Sequence, residues 1–318
     1  MILGAVNANR NPFIYLNNMG KVMTSGGLIG LGALALAASF VFPIGSEAQA
    51  DTGAWAESAH ARARLVAAAA ATGKTQIVGL GLEIKLEPGW KTYWRSPGEG
   101  GMPPRFDWTG SANVAQIAIV WPVPQRFEIG GMESVGYADH VILPLDVTLA
   151  KPGEPLAARL LLHYAVCREI CMLVEARLAL DLPAGAAEKT PPPSGNAEEI
   201  ARFRARAPRA GATFDWLIAG VRGQRMGGPG SEGRDVVVID VANDGKPFAN
   251  PELLIEGPPG LRFGKAVAKL GPDGRRARFV APVQAQGPAA PGTAEIVLTL
   301  IDAERAGTFT IKFEPPGR

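Results

Sequence analysis

Residues 160–182, LLLHYAVCREICMLVEARLALDL, limit the fold more tightly than any other stretch. Val174, Ala176, Leu178, Leu180 and Leu182 alternate with Glu175, Arg177, Ala179 and Asp181. Successive side chains of a strand point to opposite faces, so period two marks a half-buried strand. Leu160, Leu162, Tyr164 and Val166 keep the same period upstream. The two runs meet at Cys-Arg-Glu-Ile-Cys, which holds the only two cysteines of the chain, Cys167 and Cys171. A β-hairpin with both sulfurs at its tip follows.

Geometry limits how these sulfurs can meet. Along one straight strand they would stand about 13 Å apart at roughly 3.3 Å per residue, beyond the ~4.4–6.8 Å between Cα atoms that a disulfide needs. A three-residue turn through Arg168, Glu169 and Ile170 sets them opposite one another at about 4.5–5.5 Å. A helix competes, since four residues rise only about 6 Å; the alternation after Cys171 favours the hairpin. Closing so short a loop stabilises a fold by only about 2 kcal/mol, against nearly 5 for a hundred-residue loop. A disulfide there is better placed for exchange than for stability. A structural bond and two unpaired thiols are the competing readings.

The first fifty residues have the composition of an address. Arg10 and Lys21 precede a weakly apolar run over residues 28–41, and Ala48-Gln49-Ala50 offers a cleavage site before Asp51. The run is too short and too dilute in apolar residues for a membrane span. A cleaved signal peptide and a periplasmic mature protein are therefore expected, in a compartment where disulfides persist. The 32 basic and 30 acidic residues nearly balance, which argues against nucleic acid as a partner. No nucleophile–histidine–carboxylate spacing, phosphate loop or metal-ligand helix is present, so hydrolysis is unsupported and no cofactor is expected.

Frequent glycine and proline divide the rest into short strands. Residues 63–69, 76–86, 117–121 and 141–149 are expected strands. The segment from Trp90 through Tyr93 and Trp94 crowds three aromatics into five residues, as a stacking platform or as packing within a sandwich. Residues 122–137 are expected to be a long loop exposing Phe127, Ile129, Met132 and Tyr137. Apolar side chains on a loop need something to cover: either the cysteine pair or the sandwich edge.

An ordered series of motifs then becomes specific. Gly89-Trp90-Lys91-Thr92-Tyr93-Trp94-Arg95 with Pro97-Gly98 comes first, then Trp121-Pro122 with Pro124. Gly136-Tyr137 before Leu143-Pro144 follows, and last Cys167 and Cys171 at the hairpin tip. In that order, over about residues 60–183, the chain resembles the N-terminal periplasmic domain of the thiol:disulfide interchange protein DsbD family, including suppressor-of-copper-sensitivity relatives. The resemblance implies an immunoglobulin-like β-sandwich with a catalytic hairpin. It implies that Cys171 forms the mixed disulfide with a substrate and Cys167 resolves it. It also implies a shielding loop, for which Phe127, Glu128, Ile129 and Tyr137 are the candidates, with Phe127 and Ile129 equally eligible as the cap. The implied partners are a membrane-embedded electron donor and periplasmic disulfide-containing proteins. Two departures stand out. Well-known members place five residues between the cysteines and this chain places three. The membrane channel and thioredoxin-like domain that accompany this domain in full-length members are also missing from the sequence, so electrons would come from a separate membrane protein.

The full expectation is all-β. Residues 1–50 are a signal peptide and 51–185 the cysteine-bearing sandwich. Residues 186–211 are a linker with a short helix over 197–207, begun by an Asn196/Glu199 capping box, and 212–318 a second, smaller β-sandwich-like domain. That second part carries no cysteine or histidine and reads as a scaffold or docking module. Arg202, Arg204, Arg206 and Arg209 read as a solvated face. Two other functions compete with exchange. One is a copper(I) module, since soft thiolates suit that ion, although His163 sits before Cys167 rather than after Cys171 and is not expected to ligate. The other is a non-redox interaction domain.

Overall fold

The computed structural model describes residues 51–98, 100–185, 190–210, 214–227, 233–285 and 292–316. The expected signal peptide lies outside them, as do residues 186–189 and 211 of the expected linker. Among the described residues, no helix is long and apolar enough to cross a membrane.

The first half is an immunoglobulin-like sandwich of two sheets. One sheet has the order β1 (Ala56–Ser58), β2 (Ala61–Ala67), β3 (Ile77–Leu86), β9 (His140–Leu149), β6 (Val114–Ile119). The other has the order β11 (Cys171–Leu182), β10 (Leu156–Cys167), β4 (Lys91–Gly98), β8 (Met132–Ala138), β7 (Gln125–Ile129), with β5 (Arg105–Asp107) also paired to β10. The β10–β11 ladder runs without a bulge from Leu156↔Leu182 to Cys167↔Cys171. Its alternation decides the register, because a one-residue slip would turn every core-facing side chain outward. Leu160, Leu162, Tyr164 and Val166 face the core with Val174, Ala176, Leu178, Leu180 and Leu182. The cysteines are therefore on the other face.

Residues 122–137 are not the long loop expected. They contain the β7–β8 hairpin, in which Ile129 pairs with Met132 across Gly130 and Gly131. Both glycines have positive φ, 58° and 77°, as a two-residue hairpin turn between right-twisted strands requires. Gly-Gly was the signal for it.

The second half is also two sheets. One has the order β12 (Arg209–Ala210), β20 (Arg305–Phe313), β19 (Ala294–Asp302), β15 (Pro251–Glu256). The other has the order β13 (Trp216–Met226), β14 (Arg234–Asn243), β18 (Arg276–Ala285), β16 (Leu261–Phe263), with β17 (Val267–Leu270) also on β18. Phe279, Ile296, Leu298, Leu300 and Phe313 fill a separate core. β13 escapes pattern reading because it is an edge strand with only Trp216 buried, recruited by its ladder with β14.

The helix α1 (Ala197–Ala205) buries Ile200 and Phe203 in the first core. Asn196 makes no side-chain cap bond to it; its amide instead donates to Asp51 O and Thr52 Oγ1. Ser194 just upstream bonds Ala67 and Ala68 carbonyls, so the segment expected as a spacer is fastened to β2. Arg204 is not simply solvated: it makes a bidentate pair with Asp146 on β9.

One buried carboxylate matters to stability. Glu83 on β3 is 2% exposed and is held by Arg64, Lys85 and His140. Burial by itself would raise its pKa, but the hydrogen bonds from His140, Arg64 and Lys85 outweigh that and bring it from 4.5 to about 2. A depressed folded-state value stabilises the fold above the unfolded value, and the contribution is lost as pH falls from about 4.5 through 2. The shift corresponds to about 3 kcal/mol. Glu83→Gln should therefore lower stability at neutral pH by about that amount and flatten the acid limb of urea unfolding between pH 4.5 and 2. A variant that keeps the parent's acid slope would contradict this.

Candidate functional site

Cys167 and Cys171 face one another as the last pair of the β10–β11 ladder, with Cα atoms 4.2 Å apart, and are joined by a disulfide. The turn is tight: the Arg168 amide donates to Ile170 O. Arg168, Glu169, Ile170 and Cys171 are exposed, whereas Cys167 is 1% exposed. Both sulfurs leave the ladder on its outward face, so their different exposure needs a cause outside the hairpin.

That cause is β4 with the β7–β8 hairpin. β4 pairs with β10 through Thr92↔Val166 and Lys91↔Cys167, and Thr92 Oγ1 donates to Ala165 O at 2.9 Å. Alternation along β4 divides the aromatic segment. Trp90 and Trp94 enter the sandwich core, while Tyr93 joins Ile129, Ala165 and Cys167 in a small separate cluster edged by Met102 and Phe127. The aromatic stretch is thus core packing at two positions and part of the site at the third.

Tyr93 is the residue that sequence reasoning did not assign to the site. Its Oη lies 3.1 Å from Cys167 Sγ, 3.2 Å from Cys171 Sγ and 3.2 Å from Gly100 O. Disulfide sulfurs carry no proton, so the phenol is the donor to whichever of the three acceptors it bonds. Burial raises its pKa and keeps it protonated. The Gly/Pro-rich loop after β4 closes on this ring: a Cβ at Gly101 would stand 2.8 Å from two Tyr93 ring carbons. Strand alternation around Lys91, Tyr93 and Arg95 held the clue, since it sets Tyr93 opposite the two tryptophans.

The expected shielding residues separate. Phe127 and Ile129 lie with Cys167, and the Phe127 ring centroid is 6.5 Å from that of Tyr93. Glu128 points away and is exposed. Tyr137 is not in the shield. On β8 it faces the sandwich core, 5% exposed, and its hydroxyl donates to Pro122 O at 2.8 Å; burial raises its pKa. Its face follows from the β4–β8 register, Thr92↔Tyr137.

Lys91 Nζ is 5.6 Å from the Phe127 ring centroid, and the Arg168 guanidinium 5.7 Å from that of Trp90. Each histidine has a carboxylate neighbour: His60 with Glu87, His140 with Glu83, His163 with Glu175. Among the described residues, no group of three or more His, Cys, Asp or Glu side chains is arranged to hold a metal.

Residues 62–183 match the family model described as thiol:disulfide interchange protein DsbD, N-terminal. Residues 231–315 match a domain of unknown function. No curated protein matches the chain. The crystal structure of the N-terminal periplasmic domain of ScsB from Proteus mirabilis superposes with a TM-score of 0.64 at 23% identity, covering 84% of this chain and 99% of that one. That similarity speaks for a shared fold across both β halves. A conserved domain protein from Bacillus anthracis reaches a TM-score of 0.22 at 8% identity, over 84% of this chain and 92% of its own. Residues 62–183 thus form a domain of the kind that this family model describes, the N-terminal domain of the thiol:disulfide interchange protein DsbD.

Proposed function

We propose that Cys167 and Cys171 are a redox pair that carries electrons from a membrane-embedded donor to oxidised proteins of the periplasm. The asymmetry of the bond carries this reading: one sulfur covered and one exposed, on a loop too short for the bond to add much stability. In the reduced protein the Cys171 thiolate attacks a substrate disulfide. A Cys171–substrate bond forms, and the other substrate sulfur leaves as a thiolate that takes up a proton. Cys167 then attacks Cys171 Sγ, expels the second substrate thiolate and restores the internal disulfide. Two electrons have passed to the substrate, and the donor resupplies them by the same exchange in reverse.

Tyr93 serves both redox states. With the disulfide closed, its proton has Gly100 O as the better acceptor; with a thiolate present, sulfur becomes the stronger one. The phenol then stabilises the reduced form. The test is a redox titration against glutathione. A potential in the range of thiol-exchange proteins, roughly −180 to −270 mV, is expected. A value well below about −300 mV, together with no mixed disulfide to any periplasmic protein, would mark a structural bond. Stoichiometric copper(I) binding that blocks thiol labelling would favour the metal reading. In the same titration, Tyr93→Phe should shift the potential negative by about 30 mV, since loss of one thiolate hydrogen bond costs about 1.4 kcal/mol. An unchanged potential would remove Tyr93 from the chemistry.

A further inference from the structure

The β7 strand is gripped from two sides. Phe127 and Ile129 point to the sulfurs. Arg126, on the opposite face, meets the second β domain. Its guanidinium contacts the carboxylates of Glu252 and Glu133 and donates to Leu253 O at 3.0 Å. Glu133, on the partner strand β8, also takes Lys265 Nζ at 2.9 Å. Leu254, next along β15, is buried in the first core. A hairpin of five and seven residues turning on two glycines has little rigidity of its own. β8 is anchored by its ladder with β4, and the outer part of the hairpin takes its further backing from strand β15 and from Lys265.

We infer that Arg126 is a positioning residue for the cysteine pair: by fastening the β7–β8 hairpin to the second β domain, it sets how closely Phe127 and Ile129 cover Cys167. The purpose of this clamp rests on the exchange function proposed above; its measurement does not. With the charged side of the hairpin released, β7 keeps only its ladder with β8 and the small apolar cluster, and the disulfide is uncovered more often. The second domain, which has no cysteine of its own, thereby acts on the reactivity of a bond it does not touch.

The experiment uses the full oxidised chain and follows reduction of Cys167–Cys171 by excess dithiothreitol, read as the mass shift after alkylation. Glu252→Ala, which cuts one tie and leaves Arg126 paired with Glu133, should speed reduction at least fivefold. Arg126→Ala should do at least as much, and Arg126→Lys should restore part of the protection. Amides of β7 should exchange with deuterium faster in each alanine variant, while those of β14 keep their parental rates. A purely structural role would lower the unfolding temperature yet leave reduction unchanged well below it. Reduction within twofold of the parent in folded Glu252→Ala overturns the inference, and that variant decides alone should Arg126→Ala not fold. Dithiothreitol asks only for access to the bond. A protein that never exchanged with periplasmic partners would still show the clamp, and one lacking the clamp could still exchange.

Discussion

Replacing Cys171 with serine is expected to abolish thiol-disulfide exchange, whereas replacing Cys167 should freeze it halfway. Cys171 is the exposed sulfur and Cys167 the covered one, so in Cys167→Ser the remaining thiol reaches a partner disulfide but nothing resolves the product. That variant should accumulate stable mixed disulfides with oxidised periplasmic proteins, and with glutathione disulfide in vitro, through Cys171. In Cys171→Ser the surviving thiol sits beneath Tyr93, Phe127 and Ile129. Its adduct formation should be slower by roughly a hundredfold or more, because attack needs a thiolate with an open path to the sulfur. Turnover should fall by about three orders of magnitude in both, since the two residues act as one unit. Comparable adduct yields from the two single-cysteine variants would defeat the assignment of attacking and resolving sulfurs.

The second large effect lies in the backbone under the site. β8 passes β4 at Gly136, where an added Cβ would stand 1.9 Å from Thr92 O and 2.9 Å from Tyr93 Cα. Both obstacles are main chain, so no rotamer change relieves the clash. Gly136→Ala must push β8 off β4, opening the ladder Lys91↔Ala138, Thr92↔Tyr137, Tyr93↔Gly136. A loss of about 4 kcal/mol is expected, in the range of severe overpacking. For a chain of this size that lowers the melting temperature by roughly 10 °C. Tyr93 should move with the strand, so the remaining folded protein should also lose protection of its disulfide. Gly195→Ala is the control, since nothing stands within 4 Å of a Cβ there. Equal melting temperatures for the two variants would show that the close approach is not rigid.

Much of the fold was legible. Long alternating stretches such as residues 76–86, 141–149 and 174–182 became strands within one to three residues of their expected ends, because one face of each is buried and period two survives in the sequence. Short or edge elements were not. β13 hides in a sequence with little alternation, and β7–β8 was read as loop because its apolar residues serve three different surroundings. Ile129 covers a sulfur, Met132 is exposed and Tyr137 enters the core. No local periodicity describes a hairpin divided among a site, a second domain and a core.

The same division runs through the site. Residues 160–182 by themselves favour Cys167 and Cys171 opposing one another at a hairpin tip, because apolar side chains on every second position select one register. Local sequence treats the two sulfurs alike, since both lie on one face of one ribbon. Their inequality comes from afar: Tyr93 arrives from β4, and Phe127 and Ile129 from β7, while Arg126 and Glu133 meet Glu252 and Lys265 across more than a hundred residues of chain. Pairing within a hairpin is a short-range matter of pleat and turn. Covering one sulfur and leaving its neighbour open takes side chains that only the assembled sheets bring together.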